Sequence, residues 1–251
     1  MSTYAELRGK VALITGATKG IGRGIAEKLA ALGVRLVLNY SADEAAAAAT
    51  RQALADAGAD YLLVKAYMAS PAAITQLFAQ ALQHFGQLDI VVANAGIELI
   101  EKPVLDTTEA DFDNVFNLNV KGTFFVLQQA ARHLSYGGRL VLISSTMSIH
   151  PDAGAAVYAA SKAASKLFVD VLAKELGTRQ ISVNSVMPGI IDHAGVITDQ
   201  PESVKQQMRA GSPFNRLGTP ADVAKVVAFL ASDEGTFVHG HHLMVNGGSI
   251  H

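Results

Sequence analysis

VALITGATKGIG, residues 11–22, sets a short apolar run directly against a turn built on three glycines. The run is short, continuous and closed by turn residues, which reads as a strand buried on both faces. Gly16, Gly20 and Gly22 are spaced four and two apart, and helical spacing of apolar residues follows from Ile25 to Leu32. Outward from this unit the same alternation repeats. Apolar runs begin at Arg35 (RLVLN), Tyr61 (YLLVKA), Leu88 (LDIVVANA), Arg139 (RLVLIS), Ile181 (ISVNSVM) and His242 (HLMVNG). Between them lie Ala- and Leu-rich helical stretches such as 72–85, and the Ala run 45–49 reads as helix former rather than linker. Seven such runs with helical crossovers predict an α/β fold: a doubly wound, Rossmann-type parallel sheet of about seven strands with helices on both faces. No Pro/Ser linker and no internal repeat divides the chain, so a single dinucleotide-binding and catalytic domain over 1–251 is expected.

Half of the 251 residues are apolar, enough for a sizeable core, and the net charge is −2. That balance gives no electrostatic case for a nucleic-acid or membrane partner. There is no cysteine, hence no disulfide or thiolate metal site. The opening MSTYAELRGK has no long apolar run, and no stretch reaches the roughly 20 apolar residues of a spanning helix. A cytoplasmic protein is the expectation. Two longer helices, over 109–134 and 158–176, carry more apolar positions than one buried stripe requires. The surplus points to a subunit interface, with a deep core as the alternative.

Glycines between a first strand and a first helix let the backbone approach a pyrophosphate at the helix N-terminus. A plain tight turn is the alternative. ANAGI, from Ala93, closes another buried strand, so Asn94 and Gly96 fall on the same carboxyl edge of the sheet. Tyr158 precedes Lys162 by four residues, which puts phenol and ammonium on one helix face. A free tyrosine titrates near about 10, and a neighbouring ammonium lowers that value towards the working range. The pair suits a phenol that exchanges a proton with a carbonyl or alcohol oxygen. Ser145, 13 residues before Tyr158, offers a hydroxyl to the same oxygen, with Ser144 its competitor. Asn119 is a poor choice for a helix interior. It is a candidate to hold a water against Lys162, or else marks a kink.

With these residues in place the sequence resembles the short-chain dehydrogenase/reductase family from Lys10 to Gly248. TGATKGIG, ANAG, NVKG, ISS, YAASK and MPG stand in the family's order and spacing. The resemblance implies a catalytic tetrad of Asn119, Ser145, Tyr158 and Lys162, with Tyr158 as acid–base and Lys162 also on the nicotinamide ribose. It implies cofactor contacts from Gly16, Thr18, Lys19, Gly20, Ile21 and Gly22, from Asn94, Ala95 and Gly96, and from Pro188, Gly189 and Ile191. The closing RLGTPADVAKVVAFLASDEGTFVHGHHLMVNGG resembles the family's last helix and strand and implies a homotetramer. Three departures stand out. Tyr67 and Met68 occupy the place near adenine where the family often has Asp, so contacts there are apolar or main-chain. His193 stands where the family commonly has Thr, five residues after the Pro of PG. ANAG replaces the usual NNAG.

The second strand ends LVLNYSADE, so Asn39, Tyr40 and Ser41 hold the edge where an NAD site wants a carboxylate. Lys19 is a candidate point charge for a 2′-phosphate and Ser41 a hydroxyl donor, whereas Arg35 lies at the wrong end of the strand. NADP(H) is favoured and NAD(H) remains possible. The residues after Pro188 read as a lid over the substrate, with Ile190, Ile191, Val196 and Met208 as apolar cover. Ile97, Glu98, Leu99, Ile149, His150 and Val157 are candidate pocket walls, and His150 and His193 are candidates to orient substrate. No catalytic metal is expected. The predicted function is an NADP(H)-dependent carbonyl reductase or secondary alcohol dehydrogenase acting on a small molecule. A nucleotide sensor and a redox-neutral enzyme such as a dehydratase are the alternatives; the complete tetrad weighs against both.

Overall fold

A computed structural model describes residues 4–249; the chain ends of the expected 1–251 domain lie outside the described residues. Seven strands, β1 (Val11–Ile14), β2 (Arg35–Tyr40), β3 (Tyr61–Lys65), β4 (Ile90–Ala93), β5 (Arg139–Ile143), β6 (Ser182–Pro188) and β7 (His242–Val245), form one sheet in the order β3-β2-β1-β4-β5-β6-β7. Every pairing is parallel. The described residues form eight α-helices: α1 (Gly20–Ala31), α2 (Glu44–Asp56), α3 (Pro71–Phe85), α4 (Glu109–Phe116), α5 (Thr123–His133), α6 (Ala156–Leu176), α7 (Glu202–Ala210) and α8 (Pro220–Ala231).

Side chains alternate across the pleat, so each strand feeds two cores. Ala12, Ile14, Leu36 and Leu38 pack with Ile25, Leu29, Val223 and Val227 of α1 and α8. Val11, Leu13, Val37 and Val91 pack on the other face with Ile74, Phe78, Leu127 and Val169 of α3, α5 and α6. The helices begin where polar side chains can take up free backbone N–H groups. Asp43 accepts from Ala46, Ser70 from Ala73 ahead of Pro71, and Thr108 and Thr219 form capping boxes with Asp111 and Asp222. From β3, at one edge, the chain returns past β1 to β4. The loops leaving β1 and β4 therefore diverge and open a crevice at the carboxyl ends of the strands.

The single helix expected over 109–134 is instead three pieces. A π-helical stretch, Asn117–Gly122, separates α4 from α5. The reason lies in two contacts. The Asn119 amide is drawn to the backbone of Ile97, accepting from its N–H at 2.9 Å and donating to its carbonyl at 2.8 Å. Gly122 lies so close to the Met68 carbonyl that any β-carbon would overlap it. A wider turn accommodates both, as π-bulges at functional sites do.

After β6 the chain is more ordered than the sequence suggested. Ile191 bridges to Gly218, Gly195–Ile197 makes a 3₁₀ turn, and α7 is anchored by Lys205, whose Nζ lies 3.1 Å from Asp192. At the far edge, Ser185 bonds His242 Nδ1 at 2.6 Å, and His242 Nε2 lies 2.9 Å from Asp170 on α6. Ser185 has no exposed surface, so this chain of three ties β6, β7 and α6 together and cannot meet a substrate. Among the described residues no helix is long and apolar enough to cross a membrane.

Candidate active site

One cavity of about 930 Å³ runs along the crevice, from the glycine turn after β1 to the loop after β6. The turn itself is tied to both neighbouring strands. Thr15 Oγ1 accepts from the N–H groups of Asn94 and Ala95, at 2.9 and 3.0 Å. The Asn94 amide donates back to the carbonyls of Thr15 and Gly16, at 2.9 and 3.0 Å. Gly16 and Gly20 hold left-handed φ of +63° and +50°. At Gly22 a β-carbon would overlap the Gly16 carbonyl. This bare, upturned backbone at the start of α1 is a cradle of the kind that takes a pyrophosphate, and the residues present fit a dinucleotide.

Further along, β5 and α6 bring the reactive groups together. Ser145 follows β5 and is nearly buried, its Oγ accepting from Met147 N at 3.2 Å. Ser144 points the other way and donates to the Lys162 carbonyl at 3.3 Å. The strand's alternation thus separates the two candidates, and Ser145 is the one that interacts with the Tyr158 hydroxyl. Tyr158 is 6% exposed in the first turn of α6. Lys162 lies one turn on, its Nζ donating to the Ile143 carbonyl at 3.1 Å and standing 5.8 Å from the centre of the Tyr158 ring.

Burial pushes the Tyr158 phenol upward, the charge of Glu98 adds to this, and Ser145 opposes it. The net direction is the reverse of the expected lowering, because burial dominates around the ring, with the Lys162 ammonium standing over it. Burial brings Lys162 down to about 8, with Glu98 pulling the other way. A protonated phenol able to donate is what reduction of a carbonyl requires.

A match to a family described as enoyl-(acyl carrier protein) reductase extends over residues 16–249. The chain belongs to the short-chain dehydrogenase/reductase family. Hydroxynaphthalene reductase-like protein of Metarhizium anisopliae is 40% identical over 99% of this chain and 97% of its own. Versicolorin reductase of Emericella nidulans is 42% identical over 98% of this chain and 97% of its own. A short-chain dehydrogenase of Burkholderia cenocepacia, solved in complex with NADP, superposes with a TM-score of 0.90 at 37% identity, covering 97% of this chain and 98% of that one. This short-chain dehydrogenase/reductase is an NAD(P)-dependent oxidoreductase acting on C=O or CH–OH groups.

In this family member all the positions expected to meet cofactor border the cavity, from Gly16 to Gly22, Asn39 to Ser41, Met68, Asn94 to Gly96, and Pro188, Gly189 and Ile191. Two of them are spent within the protein. The Asn39 side chain is buried, accepting from Gly16 N at 3.3 Å and donating to the carbonyls of Tyr40 and Ala66 at 3.1 and 2.9 Å. It braces the glycine turn. Ile191 is 4% exposed and packs in the core under Gly218. Asn119, alone among the four expected catalytic residues, does not line the cavity. Both of its amide N–H donors are engaged, by the Ile97 carbonyl and by Ser161 Oγ, 3.0 Å away, and its Oδ1 accepts from Ile97 N. Lys19 pairs with Asp43 at 3.0 Å on the rim beside Ser41.

On the substrate side Ile97, Glu98, Ile190, Val196, Met208 and His193 border the cavity. Leu99, Ile149, His150 and Val157 do not, because the chain after β4 and β5 turns them away. Two positioning residues escaped the sequence reading. Thr15 braces the turn, and Ser161 joins Asn119 to the Tyr158 carbonyl, to which it donates at 2.7 Å. The only signal for either was a polar residue in an otherwise apolar run.

Proposed function

We propose that the protein is an NADP(H)-dependent carbonyl reductase or secondary alcohol dehydrogenase in which Tyr158 is the acid–base. The observation that carries this is the meeting of Ser145, Tyr158 and Lys162 in the cavity that the glycine cradle opens. When bound, the nicotinamide dinucleotide supplies or accepts the hydride. Ser145 and Tyr158 hold the substrate oxygen between two hydroxyls. As the carbonyl carbon gains its hydride, Tyr158 delivers the proton to that oxygen; in the reverse direction it takes the proton back. Lys162, fixed by the Ile143 carbonyl, supplies positive charge as the phenolate forms. Asn119 acts through others, clamping Ile97 and Ser161 so that the wall and α6 keep their spacing.

Preference for NADP(H) is supported by the lack of a carboxylate at Asn39, Tyr40 and Ser41 and by Lys19 on the same rim. The position of Ser41 and Lys19 on the cavity rim supports these two, rather than the buried Asn39, as the contacts of a 2′-phosphate. A reductase named for hydroxynaphthalene and one named for versicolorin among the relatives, with the apolar cover of Ile190, Val196 and Met208, support an apolar ketone as substrate. The test is Tyr158→Phe. Turnover of NADPH with a panel of ketones falls by roughly 10²–10⁴-fold while NADPH still binds. Retention of most of the rate removes Tyr158 from the role.

A further inference from the structure

The loop after β6 is gripped from both sides. Its Ala194 lies against the glycine turn, where a β-carbon on Gly20 would come within 3.2 Å of the Ala194 methyl. On the opposite side stands Glu98, five residues beyond β4. Its Oε2 accepts from the Val196 N–H at 2.8 Å. The carboxylate lies flat on Gly195, which holds φ +54° and where any β-carbon would overlap it. Among the described residues this is the hydrogen bond that joins the 193–198 turn to the β4 wall of the cavity.

Among the described residues no lysine or arginine forms a salt bridge with Glu98. The nearby ones are taken: Lys19 by Asp43, Lys102 by Asp111, and Lys205 and Arg209 by Asp192. Lys162 donates a hydrogen bond to the Ile143 carbonyl. The field of Glu98 nevertheless reaches Tyr158 and Lys162. Its second oxygen accepts no hydrogen bond among the described residues, and Glu98 borders the cavity, whose rim carries the further carboxylates Glu101, Asp152 and Asp199.

We propose that Glu98 latches the 193–198 turn across the cavity and, as an unpaired carboxylate beside Tyr158, selects neutral, hydroxyl-bearing ketones over anionic ones. A substrate hydroxyl can donate to the open carboxylate oxygen. A carboxylate or phosphate on the substrate meets like charge at short range. The selection rests on the carbonyl-reductase reading; the latch stands without it.

Two variants separate the parts. Glu98→Gln keeps an oxygen for the Val196 N–H and removes the charge; Glu98→Ala removes both. Trypsin cleavage after Lys205 and Arg209, followed by mass spectrometry on the full chain, reads the latch without turnover. Glu98→Ala is cut several-fold faster than the wild type, and Glu98→Gln is cut at the wild-type rate. Gly195→Ala, which forces the turn off an intact Glu98, is also cut faster. Equal cutting of all forms overturns the latch, as does Glu98→Gln cut as fast as Glu98→Ala. Selection is read as the ratio of kcat/KM for a neutral hydroxyketone and for its carboxylate-bearing counterpart, with NADPH. Both Glu98 variants lower that ratio by roughly tenfold or more, and Glu98→Ala raises KM for the neutral ketone more than it lowers kcat. A ratio unmoved by Glu98→Gln overturns the selection. Failure of the wild type to reduce any ketone would refute the reading of the site, while the trypsin result still decides the latch.

Discussion

At the scale of single residues, Asn39 and Lys19 show how position in three dimensions sorts chemically plausible candidates. Both sit where a 2′-phosphate reader belongs in the sequence. Only Lys19 has its charged end at the surface of the cavity rim; Asn39 is buried with its amide satisfied by Gly16, Tyr40 and Ala66. Asn39→Asp therefore replaces a donor by a carboxylate facing carbonyl oxygens. The expected result is a loss of about 3 kcal/mol in urea unfolding, since the carbonyls lose their partner and the charge gains none, with no switch to NAD(H). Lys19→Ala leaves stability unchanged and raises KM for NADPH by roughly tenfold, about 1.4 kcal/mol, with KM for NADH unmoved. Equal shifts for the two cofactors would show that Lys19 does not read the phosphate.

At the scale of the element, α8 illustrates a cap whose strength depends on pH. Asp222 closes the capping box with Thr219 and also meets Arg216, whose Nη1 lies 2.7 Å away. The bond from Arg216 is the largest influence on it; burial opposes and Thr219 assists, and the carboxyl is brought down from 3.8 to about 2. A depressed carboxyl stabilises the fold in full above its unfolded value, and the contribution is lost as pH falls from there through the folded value. Urea midpoints are thus expected to drop between pH of about 4 and about 2, by on the order of 2 kcal/mol for this group. Asp222→Asn lowers stability near neutrality and flattens that drop; an unchanged acid limb would place the titrating groups elsewhere. The break at Asn117–Gly122 belongs to the same scale. Helix propensity marked Asn119 as out of place, but only the contact with Ile97 shows that the helix widens rather than bends.

At the scale of the whole molecule, the surplus of apolar surface foreseen on the two long helices is visible. Leu167 and Val171, one turn apart on α6, are 60% and 53% exposed, and Phe124 of α5 stands beside them against Phe168. Faces of this kind on a folded chain mark association sites. We expect light scattering to give about four times the 26.3 kDa of one chain, and the pair Leu167→Asp and Val171→Asp to yield a smaller species that keeps its fold. A monomer in the wild type at micromolar concentration would contradict this.

The sequence by itself determined the parallel sheet, because strands buried on both faces must be apolar throughout and their crossovers must be helical, and both periods are local. It also determined that Tyr158 and Lys162 share a face, since residues four apart on a helix do so wherever the helix goes. Tertiary structure decided what local pattern cannot contain. It separated Ser145 from Ser144 by the direction of the strand, engaged the Asn39 and Asn119 side chains in bracing the backbone, and turned Leu99, Ile149, His150 and Val157 away from the cavity. It set the Tyr158 phenol high, because desolvation depends on everything packed around the ring and not on its neighbour in the helix. And it brought Glu98 onto Gly195 and Val196 across almost a hundred residues, a contact that exists only because the loops leaving β4 and β6 close over one crevice.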